Sequence, residues 1–277
     1  MTGAVGLALG TAVWIGVLVL LGVLLAARRR ARALVWRGLL PGRIGALPVE
    51  DVPSHEAPRG WKCAQLLLSP DRDEVRLSGI SIGGSYQAVD AAVCVRKRRH
   101  APPALECECG FYAFEDRARA LELLGRRCGF DGDVVVRALL EVEFRGTVIE
   151  HEHGARAELQ QVLGLWLLPW CADCAAAGNL VQAVALASDG EPALRLSDWG
   201  PGALILQERL HASVRMLQEW SPLRPLCGGC LDRASSHVLA LADVAASLGT
   251  EVAWLAPDVV DPNLVVTSHR PRPRSPR

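Results

Sequence analysis

Two C-x-x-C pairs, Cys171/Cys174 in "CADC" and Cys227/Cys230 in "CGGC", stand 52 residues apart. Each pair can offer two sulphurs from one tight turn, and two such turns complete a tetrahedral four-thiolate shell. A fold that uses them together must bring two distant turns into contact. A second set lies upstream: Cys94, His100, Cys107 and Cys109, spaced C-x5-H-x6-C-x-C. Imidazole and thiolate are both zinc donors, and the loop is short enough to close on one ion. Cys63 and Cys128 bring the total to nine cysteines. Compartment decides whether such residues become disulfides or metal ligands.

The N-terminus bears on compartment. Residues 3–27, "GAVGLALGTAVWIGVLVLLGVLLAA", are 25 positions without a charge. A helix rises about 1.5 Å per residue and crosses the hydrocarbon core with roughly 20 apolar residues. A cleaved signal peptide would begin with basic residues and carry a shorter apolar stretch. A buried core helix would keep some polar positions. The run is therefore expected to be a transmembrane helix. Arg28, Arg29, Arg30, Arg32, Arg37 and Arg43 follow it, and no acid appears before Glu50. Basic flanks stay in the cytoplasm, so the N-terminus is expected outside and the bulk of the chain inside the cell membrane. The same arginines attract anionic lipid headgroups, which makes membrane lipid an expected partner. In a reducing cytoplasm, clustered cysteines point to metal or redox chemistry and away from structural disulfides.

The net charge of zero conceals a pattern. Residues 47–257 carry 20 basic against 28 acidic residues, a net of −8, between Arg-rich ends. Nucleic-acid binding needs a basic face that releases counterions, so no nucleic acid is expected as partner. The run "RKRRH", residues 96–100, is the one contrary patch, and such runs are commonly solvated loops. Lys62 and Lys97 are the only lysines. With abundant Ala, Leu and Gly, this suggests a high-GC bacterial genome.

Residues 28–60 begin basic and become Pro- and Gly-rich, which predicts a linker. "CAQLLL", "EVRLSGISI" and "QAVDAAVCV" predict short strands separated by turn residues. Residues 115–127 have helical composition, and 134–153 are β-branched and extended, with Gly146 marking a turn or bulge. Residues 159–170, "LQQVLGLWLLPW", are a buried strand or a short helix; periodicity does not separate the two. Helices are predicted over 204–220 and over 231–249, the latter ended by Gly249, followed by a strand at "EVAWLAP". The tail 258–277 is Pro/Arg-rich and predicted to be disordered.

"LECECGFYAF", residues 105–114, concentrates two thiols and three rings. If Cys107 and Cys109 grip an ion, the chain must turn sharply there, and Gly110 permits that. Phe111, Tyr112 and Phe114 would cover the site, or serve as ordinary core. Cys107 and Cys109 could also complete a site with either C-x-x-C pair. His151 and His153 on one strand face form a weaker candidate metal pair. "LGLWLLPWCADC" looks like the strand and W-C-x-x-C of thioredoxin-type proteins, in which a helix N-terminus activates the first thiol. The remainder of such a domain is missing from the sequence, and "CGGC" would have no role in it. There is no G-x-S-x-G, Walker loop or H-E-x-x-H, and no catalytic set is named.

"RRHAPPALECECGFYAF" followed by "VEFRGTVIEHEHGARAE" resembles a bacterial protein family with the signature H-x-x-P, C-x-C-G-[IF]-Y-A and G-x-V-x-x-H-x-x-G-x-R-A-E. The residues that carry the resemblance are His100, Pro103, Cys107, Cys109, Gly110, Tyr112 and Ala113, then Gly146, Val148, His151, Gly154, Arg156, Ala157 and Glu158. The resemblance implies a coherent domain over residues 61–168 and no activity. It leaves the C-x-x-C pairs outside.

The expected architecture is one N-terminal transmembrane helix (3–27), a linker (28–60) and a mixed α/β or α+β cytoplasmic part, then a disordered tail (258–277). The cytoplasmic part is expected in two small metal-tied lobes, a C-x-C-G-F-Y-A domain (61–168) and a paired C-x-x-C domain (169–257). The expected role is a membrane-anchored, zinc-stabilised interaction module with a protein partner, the zinc being structural. The alternative is a membrane-tethered thiol-disulfide oxidoreductase using Cys171 and Cys174.

Overall fold

The computed structural model describes residues 57–79, 84–94, 100–125, 127–128, 134–135, 137–191, 193, 219–233 and 237–260. The apolar run 3–27, the arginines after it, nearly all of the linker, residues 204–218 of the helix expected over 204–220 and residues 261–277 of the tail expected over 258–277 lie outside the described residues. The start of that tail is ordered, with a 3-10 turn at Pro257–Val259 and Val260 buried in a core cluster. Among the described residues no helix is long and apolar enough to cross a membrane. By compactness the chain divides into Met1–Ile44 with His151–His153, and Gly45–Glu150 with Gly154–Arg277. Of the first unit only His151–His153 are described, as a strand end and a turn.

The second unit is rich in sheet. In chain order its strands are β1 (Arg59–Leu68), β2 (Val75–Gly79), β3 (Ser85–Tyr86), β4 (Val89–Ala91), β5 (Phe111–Phe114), β6 (Arg127–Cys128), β7 (Val134–Val135), β8 (Ala138–His151) and β9 (Gly154–Leu167). They continue with β10 (Ala185–Ser188), β11 (Ser221–Pro222), β12 (Arg224–Leu226), β13 (His237–Leu239) and β14 (Val252–Trp254). The helices are short: α1 (Arg117–Leu123), α2 (Ala172–Ala176), α3 (Gly228–Leu231) and α4 (Leu241–Leu248).

Strand pairing in the large sheet closes on itself. β1 runs antiparallel to β8, from Arg59 opposite Glu143 to Ala64 opposite Ala138. β8 pairs with β9. β9 pairs with β5, from Phe111 opposite Ala157 to Phe114 opposite Gly154. β5 returns to β1 where Trp61 meets Phe114. Around this ring β2 and β3 extend from β1, while β4 and β14 lie along β9.

The ring accounts for the sequence of β1, "RGWKCAQLLL". A strand covered on both faces needs apolar residues at successive positions, not alternate ones. One face sends Ala64, Leu66 and Leu68 into a core with Val142, Phe144, Val162 and Leu165. The other sends Cys63 into a second cluster with Ala120, Leu124 and Leu139, supplied in part by α1. Asp116 starts α1 by accepting a hydrogen bond from the Ala118 N–H at 2.8 Å.

Several expectations hold and others need correction. Residues 159–167 are strand, part of β9. Gly146 adopts φ +70 within β8, where a Cβ would stand 2.8 Å from the Glu158 carboxylate. The single helix expected over 231–249 is interrupted. Residues 237–239 pair with β10 as β13, and a new helix starts at Leu241, where Asp243 accepts a hydrogen bond from the Ala240 N–H at 3.1 Å. Sheet pairing overrides helical propensity there. Gly249 does end that helix, in the left-handed conformation. Strands from beyond residue 169 also enter the large sheet: β11 joins β1, and β14 runs parallel to β9. A separate antiparallel sheet, β12-β10-β13, carries the C-x-x-C region.

Candidate metal centres

The structure assembles two groups of donors. Cys171, Cys174, Cys227 and Cys230 have their sulphurs within 4.8 Å of one another, and the donor atoms of Cys94, His100, Cys107 and Cys109 meet the same limit. Both groups are positioned to hold a metal ion.

The four-cysteine centre is built from two similar knuckles. Cys171 precedes α2 and Cys227 precedes α3, and each begins one turn of helix. The carbonyl oxygen of Cys171 accepts from Ala175 N–H at 2.9 Å, and that of Cys227 accepts from Leu231 N–H at 2.9 Å. This turn places the second cysteine of each pair beside the first. The small sheet unites the knuckles: Ala185 pairs with Leu226, the residue before Cys227, while Ala183 N–H donates to Pro169 O, two residues before Cys171. Arg224 adds a tie, reaching Asp173 at 2.7 Å and Asp189 at 3.3 Å.

The spacing of the sulphurs is informative. Cys174 Sγ lies 3.7 Å from both Cys227 Sγ and Cys230 Sγ. A tetrahedral ion with metal–sulphur bonds near 2.3 Å holds its sulphurs about 3.7–3.8 Å apart. A disulfide would bring them to about 2.05 Å. Burial pushes the Cys174 and Cys230 thiols up. Burial opposes ionisation of Cys227 too, but the Cys230 N–H and the neighbouring thiols outweigh it and draw Cys227 down. Without a cation, then, Cys227 is the favoured thiolate of these three. A divalent cation is what allows four thiolates to coexist.

The C-x-C centre is assembled on the ring. Cys94 follows β4, which Ala92 N–H anchors to Glu158 O at 2.7 Å. Cys107 sits in a turn closed by its N–H to Ala104 O at 3.1 Å. Cys94 Sγ and Cys107 Sγ are 3.8 Å apart, and His100 Nε2 is 3.1 Å from Cys109 Sγ. The two sulphurs thus have tetrahedral spacing, with Nε2 the imidazole atom turned to the group. Gly110 keeps φ +119, and a Cβ there would stand 3.1 Å from Pro103 and 3.3 Å from Ala157 O. Only glycine lets the chain leave Cys109 so close to β9. Burial raises the Cys109 thiol to about 11.

The aromatic residues after this turn do not form a lid. Phe111 enters the main core, in edge contact with Tyr86 at 5.4 Å between ring centres, and Phe114 packs in the second cluster with Trp61. Tyr112 alone stays on the side of the site, against the Arg156 guanidinium at 5.9 Å. The His151/His153 pair is not a strand-face pair: His151 ends β8 and His153 lies in the following turn. Among the described residues neither joins a metal-binding group. Cys107 and Cys109 stand with Cys94 and His100, not with a C-x-x-C pair.

Three arginines escaped the sequence reading. Arg224 is the tie described above. Arg233 donates to Cys230 Sγ at 3.2 Å and to Gly229 O at 2.9 Å. Arg156, on β9, donates to the carbonyl oxygens of Cys107 and Cys109. Only Arg156 belonged to any sequence pattern, and nothing in that pattern assigned it a partner.

Comparison of the chain with protein-family models, with curated proteins and with solved structures finds no match.

Proposed function

We propose that the chain is a membrane-anchored cytoplasmic interaction module whose folded part is stabilised by two structural zinc ions. The observation that carries this is the 3.7 Å spacing of Cys174 Sγ from Cys227 Sγ and Cys230 Sγ. It fits thiolates around a tetrahedral ion. Soft thiolate donors in this geometry select zinc or iron among common metals, and imidazole in the other centre favours zinc. Four protein ligands leave no open position for a water or substrate, so each ion's role is structural. What remains for the chain to do is bind, with a protein as the expected partner. Support for the membrane anchor comes from the uncharged run 3–27 and the arginines after it.

Metal content of the full chain, purified under reducing conditions in detergent, tests this. About two zinc per chain are expected. A single zinc that disappears in Cys227→Ser would restrict the proposal to the C-x-x-C centre. No metal, together with ready oxidation of Cys171 and Cys174 to a disulfide, would make the thiol-disulfide oxidoreductase the better description. Against that alternative, Cys174 is as close to the other pair as a shared ion requires, and α2 spans only five residues.

A further inference from the structure

A buried guanidinium normally meets a carboxylate, because an uncompensated charge in the interior is costly. Arg156 is 4% exposed, and none of the ion pairs among the described residues includes it. Its Nη1 donates to the carbonyl oxygens of both Cys107 and Cys109, at 3.3 Å for the latter, and its Nε has no hydrogen-bond partner among the described residues. Its guanidinium carbon also lies over the Tyr112 ring, 5.9 Å from the ring centre. Carbonyl dipoles and a ring face soften the charge without cancelling it. The acids of the C-x-C turn itself, Glu106 and Glu108, are exposed.

The missing negative charge is supplied if the adjacent centre is filled. Three thiolates and one neutral imidazole around a divalent ion leave a net charge of −1. Among the described residues Arg156 is the cation that meets this charge; Arg96, Lys97, Arg98 and Arg99, between two of the ligands in sequence, lie outside them. A trivalent ion would leave the centre neutral and Arg156 unbalanced. The four-cysteine centre differs: its net charge of −2 lies beside the exposed Arg233, where water helps to screen it.

Resting on the zinc reading above, we infer that Arg156 is the built-in counter-charge of the Cys94/His100/Cys107/Cys109 centre. It is a positioning residue that tunes that centre to a thiophilic divalent cation. It acts through the carbonyls of two ligand residues and touches no ligand sulphur. Because one nitrogen serves both carbonyls, the geometry does not demand a guanidinium fork. An ammonium at the same place could do the same, whereas a neutral amide could donate but not balance charge.

The test is a cobalt(II) and zinc(II) titration of the full chain in detergent under reducing conditions, against a chromophoric chelator. Cobalt absorption distinguishes a four-thiolate centre from one with three thiolates and an imidazole. Arg156→Gln and Arg156→Met are expected to weaken the mixed-ligand centre about 10–100-fold, the usual scale for outer-shell partners. Arg156→Lys should stay within a few-fold of the parent, and the four-thiolate centre should not move in any variant, which also reports that the fold survives. Unchanged affinity in Arg156→Gln would overturn the inference while leaving the metal centre standing. Equal weakening by Lys and Gln would also overturn it, since hydrogen-bond geometry and not charge would then be at work. A parent chain that takes up only one cobalt, with the four-thiolate spectrum, would remove the metal centre itself and the inference with it.

Discussion

The two centres, one of four cysteines and one of three cysteines and a histidine, stand in regions of very different self-sufficiency. The C-x-C centre rests on a closed ring of strands with a main core that includes Leu66, Leu77, Leu140, Phe144, Val162 and Leu165. The buried cluster at the C-x-x-C centre is Cys171, Ala172, Ala187, Leu226, Cys227 and Cys230. Half of that cluster is the ligands themselves. Leu186 of β10 and Leu239 of β13 tie the small sheet to the main core, but the cluster at the knuckles themselves holds little apolar area without an ion, and small cores of this kind commonly depend on metal or disulfide staples. The strands around one centre thus have a core of their own, whereas the cluster beside the other is built largely from its ligands.

The largest expected effect follows directly. Chelation, or Cys227→Ser, should release β10, β12 and β13 as one unit while β1, β8 and β9 hold. Structural zinc contributes on the order of 10 kcal/mol to the elements it organises. Hydrogen exchange should show protection collapsing over residues 185–188, 224–226 and 237–239 and persisting over 138–150. Retained protection in the small sheet would erase the contrast between the two regions.

The second effect tests how much the ring can tolerate. Lys62 lies inside it, 7% exposed, with its ammonium 3.0 Å from Gln160 Oε1 and over the Tyr86 ring at 4.5 Å. Burial lowers its pKa from 10.5 to about 7. Below the folded value both states carry the proton, and the cost of burying the charge is constant and complete. Between about 7 and 10.5 the unfolded chain holds a proton that the folded chain has lost, so stability rises with pH. Lys62→Met removes this dependence. The variant should exceed the parent by a few kcal/mol near pH 7, because each tenfold change in proton affinity is about 1.4 kcal/mol, and the gap should narrow towards pH 10. Urea unfolding across that range measures it; a gap that does not change with pH would mean Lys62 stays charged in the ring.

Cys107→Ser is the counterpart of the first prediction at the self-sufficient end. It should abolish metal binding at the C-x-C centre and loosen residues 100–110. The ring should lose about 3 kcal/mol and stay folded, because the pairing of β5 with β9 and the burial of Phe111 do not need the ion, while Arg156 is left without its counter-charge. Thermal unfolding followed by circular dichroism is the measurement. A loss as large as that of Cys227→Ser would show the ring to be metal-dependent as well.

What the sequence disclosed tracks the same division. Ligand chemistry is local, so spacing alone singled out all eight donors that the structure gathers into two groups. The grouping of Cys107 with Cys94 was one of several readings, because C-x-C carries no information about which distant residue it meets. The ring was not legible at all. It depends on β8 pairing on both edges and on β5 returning to β1, contacts between residues as far apart in sequence as Arg59 and Glu143. The helix expected over 231–249 is realised only over Leu241–Leu248, because His237–Leu239 have no strand signature of their own and become strand only beside β10. Lys62 reads as a surface residue until both faces of β1 are known to be covered. Arg156 reads as one arginine among many until β9 carries it beneath the C-x-C turn.

The smallest effect probes the seam between the two knuckles. Arg224 bridges Asp173, within the first C-x-x-C pair, and Asp189, the residue after β10. Its side chain is 25% exposed and the two carboxylates are 43% and 42% exposed, so solvent screens much of the attraction. Exposed pairs contribute roughly 0–1 kcal/mol, and a shared arginine lies at the upper end. Arg224→Ala should therefore speed zinc release from the C-x-x-C centre modestly, by about five-fold at low salt, since 1 kcal/mol corresponds to that factor. The difference should vanish near 1 M salt, where the screening length is about 3 Å. Release followed with a colorimetric chelator at both ionic strengths decides it. An effect that survives high salt would assign Arg224 to packing of the small sheet, and an effect as large as that of a ligand substitution would mean that the four thiolates alone do not hold the knuckles together.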